Sequence, residues 1–133
     1  MILEKQVCSF ALAKLLCDLG VSQHTSFFYW QPDGDGLLEY WDMKDGSVSA
    51  FSVPELGEML PWELIVGAHR YELDLFKNGE EPAHWFVGYT TKDEPIYSVL
   101  GMNYHFGKTE ADARAKMLIY LLEQQLINNS LIE

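Results

Sequence analysis

Residues 31–42, with the sequence QPDGDGLLEYWD, carry carboxylates and glycines in the order that a calcium-binding loop uses them. Asp33 and Asp35 fall at positions 3 and 5 of an EF-hand loop, and Gly36 falls at position 6. The match is incomplete, because the first residue is a glutamine and Asp42 replaces the bidentate glutamate of the last position. Aromatic runs typical of strands stand where the flanking helices would be. The segment is predicted to be the turn of a β-hairpin, with weak calcium binding outside an EF-hand as the alternative.

No other group of residues has the spacing of a known catalytic or metal site. The histidines are dispersed and have no cysteine or histidine at zinc-ligand spacing; they are His24, His69, His84 and His105. The sequence contains no Gly-x-Ser-x-Gly, no Cys-x-x-Cys and no glycine-rich phosphate loop. We therefore nominate no catalytic, cofactor-binding or metal-ligating residue. The sequence favours a protein that is not an enzyme, without deciding the question.

The charge balance argues against nucleic acid as a partner. The 133 residues include 9 lysines and arginines against 20 aspartates and glutamates, for a net charge of -11. Such a chain repels phosphate backbones, and no basic stripe with interleaved aromatic residues offsets this. The acidic residues are scattered and form no long run. Solubility is the simplest reading of the acidity, and a surface for a basic partner is the alternative.

The apolar N-terminal segment is predicted to be a helix of the folded domain. Glu4 and Lys14 interrupt the segment, and Leu16 stands where a lipoprotein signal would have a small residue, so an export signal is not expected. No stretch approaches the roughly 20 apolar residues of a membrane span. The low cysteine count suits a reducing compartment. We expect a cytoplasmic protein that does not bind membranes.

That first helix is predicted from Ile2 to Leu19, with Gly20 as a left-handed C-terminal cap. Apolar residues recur at helical spacing and predict one stripe that faces a core; they include Val7, Ala11, Leu12, Leu15, Leu16 and Leu19. Cys8 and Cys17 would lie roughly 13 Å apart along this helix, which is too far for a disulfide.

Short aromatic and β-branched runs separated by Asp-Gly pairs follow, and they predict a β-meander of three strands in residues 26–51. In the predicted register, Trp30 lies opposite Leu38. One face of the sheet then carries Phe27, Tyr29, Glu39 and Trp41. A helix could cover these four residues, or they could form a protein-interaction surface or the interface of a homodimer.

A short helix and a β-hairpin are predicted next. Ser52 and Glu55 form a capping box that begins a two-turn helix, and Pro61 ends it. For the hairpin, a two-residue loop at Asn-Gly would place Pro82 opposite Leu75 and is rejected. A five-residue loop gives a better register; it aligns Tyr71, Leu73 and Leu75 with Tyr89, Val87 and Trp85.

A further strand within residues 96–104 and a C-terminal helix complete the prediction. Thr109 caps that helix, and Glu110 and Asp112 fall in its first turn. The order α-βββ-α-ββ(β)-α predicts a single α+β domain over residues 1–133. We expect one antiparallel sheet of five to six strands, apolar on both faces and flanked by helices on each side, which is a three-layer α/β/α sandwich.

Three stretches together resemble a family of small proteins of tailed phages, prophages and the gut bacteria that carry them. These stretches are VCSFALAKLLCDLGVSQHTSFFYWQ, SAFSVPELGEMLP and EADARAKMLIYLLEQQLI. The resemblance covers most of the chain and rests on core-type positions. The family has no assigned activity, so the resemblance implies an accessory protein of a bacterial cytoplasm and no site residues.

Three functions are compatible with the sequence. The leading hypothesis is a non-enzymatic accessory protein that binds another protein, because an acidic surface and aromatic strands occur without a catalytic constellation. A small-molecule-binding or enzymatic domain, whose site is formed by residues distant in sequence, is the first alternative. A structural component of a phage assembly is the second.

Overall fold

The computed structural model describes residues 3–24, 26–79, 84–91, 98–99 and 104–127. Within these residues the α-helices are α1 (Phe10–Asp18), α2 (Val53–Met59) and α3 (Glu110–Glu123). The strands are β1 (Phe28–Trp30), β2 (Leu37–Glu39), β3 (Val48–Ser49), β4 (Glu63–Val66), β5 (His69–Lys77), β6 (Trp85–Thr91), β7 (Ser98–Val99) and β8 (His105–Gly107). The predicted α+β class is confirmed.

The described strands form two antiparallel sheets where the sequence predicted one. A three-stranded sheet has the order β2-β1-β3. In a five-stranded sheet, β4, β5 and β6 are neighbours, and β7 and β8 both pair with the other edge of β6. The division follows from α2, which begins soon after β3 and packs against α3, so that β4 starts a separate sheet.

The three-stranded sheet differs from the predicted meander in both order and register. β3 pairs with β1 and not with β2, because a 3-10 turn at Tyr40–Asp42 ends β2 before the chain returns across β1. Tyr29 lies opposite Leu38, one residue away from the predicted pairing of Trp30 with Leu38. A shift of one residue exchanges the faces of β2 relative to those of β1.

The first helix begins later than its apolar spacing predicted. Residues 3–5 form a 3-10 turn, and Ser9 is the N-cap of α1, with its hydroxyl accepting a hydrogen bond from the Leu12 N–H. The segment before α1 is extended, and the Cys8 N–H donates to the carbonyl of Phe51 at 2.9 Å. At the other end Gly20 has φ +91° and forms the predicted left-handed cap. The two cysteines are not bonded to each other.

The five-stranded sheet contains two strands that the sequence analysis missed, β4 and β8, whereas β7 falls within the strand predicted in residues 96–104. β4 joins β5 through a tight turn at Gly67, whose φ is +62°. β5 and β6 form the predicted hairpin, but Leu73 pairs with Tyr89 and Leu75 with Val87, two residues from the predicted register. Because the shift is an even number, the predicted apolar residues still share one face.

The third helix begins where predicted and is linked to the start of α1. The Thr109 hydroxyl accepts a hydrogen bond from the Asp112 N–H, as an N-cap does. The Asp112 carboxylate in turn accepts a hydrogen bond of 2.7 Å from the Ser9 N–H. In a capping box, the backbone N–H of the N-cap residue donates to a side chain of the same helix. Here the N–H of the α1 N-cap donates to a side chain of α3 instead.

The core lies between the sheets and the three helices. α3 packs on β6 and β8 and also contacts α1 and α2. None of the described helices covers the opposite face of the five-stranded sheet, where Phe76 and Phe106 stay exposed. Of the described helices, α3 packs on the five-stranded sheet, α1 packs on β3 of the other sheet and α2 packs on α3, so the predicted three-layer arrangement, with helices on both faces of one sheet, is not seen among them.

Burial of Cys8 makes stability sensitive to alkaline pH. Burial raises the pKa of this thiol from 9.0 to about 12. Since the unfolded chain loses this proton first, the contribution of Cys8 to stability is complete below pH 9 and declines from there to about pH 12. Between about pH 8 and about pH 10.5, the native protein is expected to lose roughly 2 kcal/mol more unfolding free energy than Cys8→Ala does.

Urea unfolding of both proteins at the two pH values measures this difference. The alanine variant cannot ionise at this position, so it reports the pH dependence of every other group. Equal losses in the two proteins would contradict the burial of the thiol.

Candidate interaction surface

The four residues predicted to share an interaction surface are separated by the structure. Phe27 and Trp41 are exposed by 70% and 76%, and Glu39 is exposed as well. Tyr29 is buried, and its hydroxyl donates to the Gln23 carbonyl at 2.7 Å. The predicted face is not formed, because Tyr29 points into the core and Trp41 belongs to the 3-10 turn after β2.

The acidic loop between β1 and β2 is a hairpin turn, as predicted. The Gln31 N–H donates to the Gly36 carbonyl at 3.0 Å, and the Asp33 carboxylate accepts from the Asp35 N–H at 2.9 Å. Gly34 has φ +79° and lies against the ring of Phe10, so a side chain at this position would be strained. In the described part of the chain, no three histidine, cysteine, aspartate or glutamate residues are grouped as metal ligands.

Three phenylalanines lie side by side across the uncovered face of the five-stranded sheet. Phe76 on β5 pairs with Phe86 on β6, and Phe86 pairs with Phe106 on β8. The rings of Phe76 and Phe86 are stacked with centroids 5.0 Å apart, and those of Phe86 and Phe106 are 5.8 Å apart. Phe76 is 44% exposed and Phe106 50% exposed. The row is an apolar strip that is open to solvent.

Tyr104 extends this strip and is held in place by two residues. Its ring meets the Phe76 ring edge-on at 5.2 Å and lies over Gly88, where an added Cβ would be 2.6 Å from Cδ1 of Tyr104. Its hydroxyl donates to Oδ2 of Asp74 at 2.7 Å. We call Phe76, Phe86, Tyr104 and Phe106 the aromatic surface.

The electrostatic setting of Tyr104 keeps it in one protonation state. Burial, together with the hydrogen bond to Asp74 and the negative charge of that residue, raises the pKa of Tyr104 to about 12. The phenol therefore stays protonated at neutral pH and remains a hydrogen-bond donor. A phenol in this state is suited to holding a carboxylate in place and not to accepting a proton.

Charged residues border the aromatic surface. The Lys116 ammonium lies 5.4 Å from the centroid of the Phe106 ring and donates to the Phe106 carbonyl at 2.8 Å. Farther along the same face, Arg70 forms ion pairs with Glu63 at 2.9 Å and with Glu72 at 3.5 Å. The strip thus lies between a lysine at the β8 side and carboxylates on β4 and β5.

The aromatic surface offers mainly apolar ring area, and the polar groups described next to it include Asp74 at Tyr104 and the His84 ring and Lys116 ammonium at Phe106. This composition resembles the centre of a protein-protein interface more than a catalytic site, because such centres are rich in aromatic residues and poor in charge.

Sequence analysis did not single out these residues. The signal was present in β5, where Phe76 occupies the polar side of an otherwise alternating pattern, opposite Leu73 and Leu75. Apolar residues on both faces of a strand predict a helix that covers each face. Periodicity alone does not say whether a face is covered.

Comparison with known proteins finds no significant match. No family model matches the chain, and no curated protein or solved structure is significantly similar to it. In the residues that the structure describes, each helix is too short or too polar to span a bilayer.

Proposed function

We propose that this protein is a non-enzymatic accessory protein that binds another protein through the aromatic surface. The observation that carries the proposal is the row formed by Phe76, Phe86 and Phe106, which pair directly across three strands and leave two rings about half exposed. Three neighbouring rings on one open sheet face form a patch of the kind that marks interaction sites.

The strands that carry this row are anchored in the core, which favours a preformed binding surface. Val87 and Tyr89, on the opposite face of β6, are fully buried in the core and fix the strand that carries Phe86. Tyr104 is fixed by Asp74. A rigid aromatic side chain loses little conformational entropy when a partner covers it, so the cost of ordering the side chain on binding is small.

The cellular setting is part of the proposal. We place the protein in the cytoplasm of a bacterial cell that carries a phage or prophage, as the resemblance of its sequence implies. A host factor is then the expected partner. A lysate of such a bacterium is the sample in which to look for it.

Affinity capture with matched variants tests the function. The native protein is expected to retain a partner in near-stoichiometric amount. The double variant Phe76→Leu/Phe106→Leu keeps apolar side chains but removes two rings, and it is expected to retain at least about tenfold less, since truncated aromatic hot spots cost about 2 kcal/mol or more. Phe27→Leu, which changes an even more exposed ring just before β1, is the control and is expected to behave as the native protein does.

Two outcomes would refute the proposal. One is a native protein that retains nothing in stoichiometric amount. The other is a captured protein whose retention is the same with the double variant as with the native chain.

A further inference from the structure

We propose that the partner presents a cationic side chain, above all arginine, that lies over the rings of the aromatic surface and pairs with Asp74. This inference rests on the proposed function and names the chemistry of the partner. Three observations support it: a lysine already bound to one of the rings, a carboxylate set beside them, and the charge of the whole chain.

The first observation is the position of Lys116. Its ammonium lies 5.4 Å from the Phe106 centroid, within the roughly 6 Å over which a ring face attracts a cation. The chain therefore already uses this surface to bind a cation of its own. Phe76 is similarly exposed at the other end of the row, where its ring is steeply inclined to that of Tyr104.

The second observation is the placement of Asp74. It lies two residues before Phe76 on β5, on the same face, and directly opposite Gly88 on β6. Because Gly88 has no side chain, the Tyr104 ring fits beside the carboxylate and donates to Oδ2. A protonated phenol cannot neutralise Asp74, so an anionic group stays at the border of the rings. Arginine can stack on a ring and pair with a carboxylate at the same time.

The third observation is charge. The chain carries a net charge of -11, which attracts a basic protein segment and repels both nucleic acid and a second copy of the same chain. On this face, Arg70 is already engaged by Glu63 and Glu72. A cationic segment is thus the occupant that the charges favour.

The test uses a short peptide with three arginines spaced by glycine and serine, and a matched peptide with citrulline at those positions. Citrulline has nearly the shape of arginine without its charge. Binding is followed by NMR of the aromatic side chains in the full-length protein. The arginine peptide is expected to shift the resonances of Phe76, Tyr104 and Phe106, and the citrulline peptide is expected to leave them unchanged.

Variants locate the binding. Asp74→Asn keeps the size of the side chain and an acceptor for Tyr104, and it is expected to weaken binding about threefold, as loss of a partly exposed ion pair would. Phe106→Leu is expected to weaken it by about the same factor through loss of a cation-ring contact. Glu58→Gln is the matched control, since it removes one exposed negative charge on α2 away from the sheet.

The outcomes separate the two proposals. If Glu58→Gln weakens binding as much as Asp74→Asn does, the peptide responds only to net charge and the inference is wrong. Binding of the citrulline peptide with equal affinity would also overturn it. If the arginine peptide fails to shift the rings while capture of a partner still depends on Phe76 and Phe106, the cationic partner is excluded and the proposed function stands.

Discussion

Gly107→Ala is expected to lower the free energy of unfolding by about 3 kcal/mol, at the upper end of what overpacking costs. A Cβ on Gly107 would lie 2.9 Å from the backbone nitrogen of Ala113 and 2.9 Å from Cβ of Asp112. Both atoms belong to the first turn and a half of α3. Backbone cannot rotate away as the end of a side chain can, and the hydrogen bond from Ser9 to Asp112 holds this turn in place. The whole helix would have to move off β8.

Gly57→Ala is the control, and it is expected to change the free energy of unfolding in the opposite direction. Gly57 lies inside α2, and the nearest atom to an added Cβ is the end of the Arg114 side chain at 3.5 Å, an ordinary contact. Alanine is preferred over glycine in a helix, so this variant is expected to be more stable by up to about 1 kcal/mol. Urea unfolding followed by circular dichroism measures both variants. Equal stability of Gly107→Ala and the native protein would mean that α3 does not pack this closely on β8.

Leu118→Ala is expected to lower the free energy of unfolding by about 3 kcal/mol as well, for a different reason. Leu118 is fully buried on α3, in the core between the helix and the sheets. Shortening a buried leucine removes apolar contacts and leaves a cavity, and such changes cost roughly 2 to 5 kcal/mol. Thermal and urea unfolding of the purified variant test the value.

Leu15→Ala is the matched comparison, since it makes the same chemical change on α1. Leu15 belongs to the apolar stripe predicted from sequence, yet it is 48% exposed. Its replacement is expected to cost less than about 1 kcal/mol. Equal losses of stability in the two leucine variants would mean that Leu15 is covered in solution, which would contradict its exposed position on α1.

The elements that sequence analysis predicted correctly are those decided by neighbouring residues. The capping box of Ser52 and Glu55, the Thr109 cap and the left-handed Gly20 are all found where they were predicted. Each depends on hydrogen bonds or backbone preferences within one turn. The hairpin loop that begins at Gln31 is of the same kind, because glycines with positive φ set it locally.

The features that it missed are decided by contacts between distant segments. The apolar pattern before Ser9 suggested helix, but the Cys8 N–H bonds to Phe51 and the segment is extended. The pairing of β3 with β1, and the one-residue difference in the register of β2, depend on where the chain returns after the turn at Tyr40–Asp42. Periodicity within a strand does not contain this information.

The candidate site likewise depends on contacts between distant segments. Sequence analysis selected Phe27, Tyr29, Glu39 and Trp41 in and around the first two strands, whereas the aromatic rings that lie side by side in the structure belong to the five-stranded sheet. Tyr29 proved to be a core residue. The row of Phe76, Phe86 and Phe106 depends on the pairing of β6 with β8, and β8 follows β6 only after a long connection. Neither the pairing nor the exposure of that face can be read from one strand.

The hydrogen bond from Ser9 to Asp112 also bears on how the chain folds. The bond joins residues separated by 103 positions, so the beginning of α1 is completed only by a side chain near the end of the sequence. During synthesis α1 would leave the ribosome before the acceptor of the Ser9 N–H has been made. Its first turn would fray until α3 has formed and packed against it. Closing so long a loop is slow, because the chain entropy must be lost before the contact forms. The two terminal helices are therefore expected to form and melt as one cooperative unit.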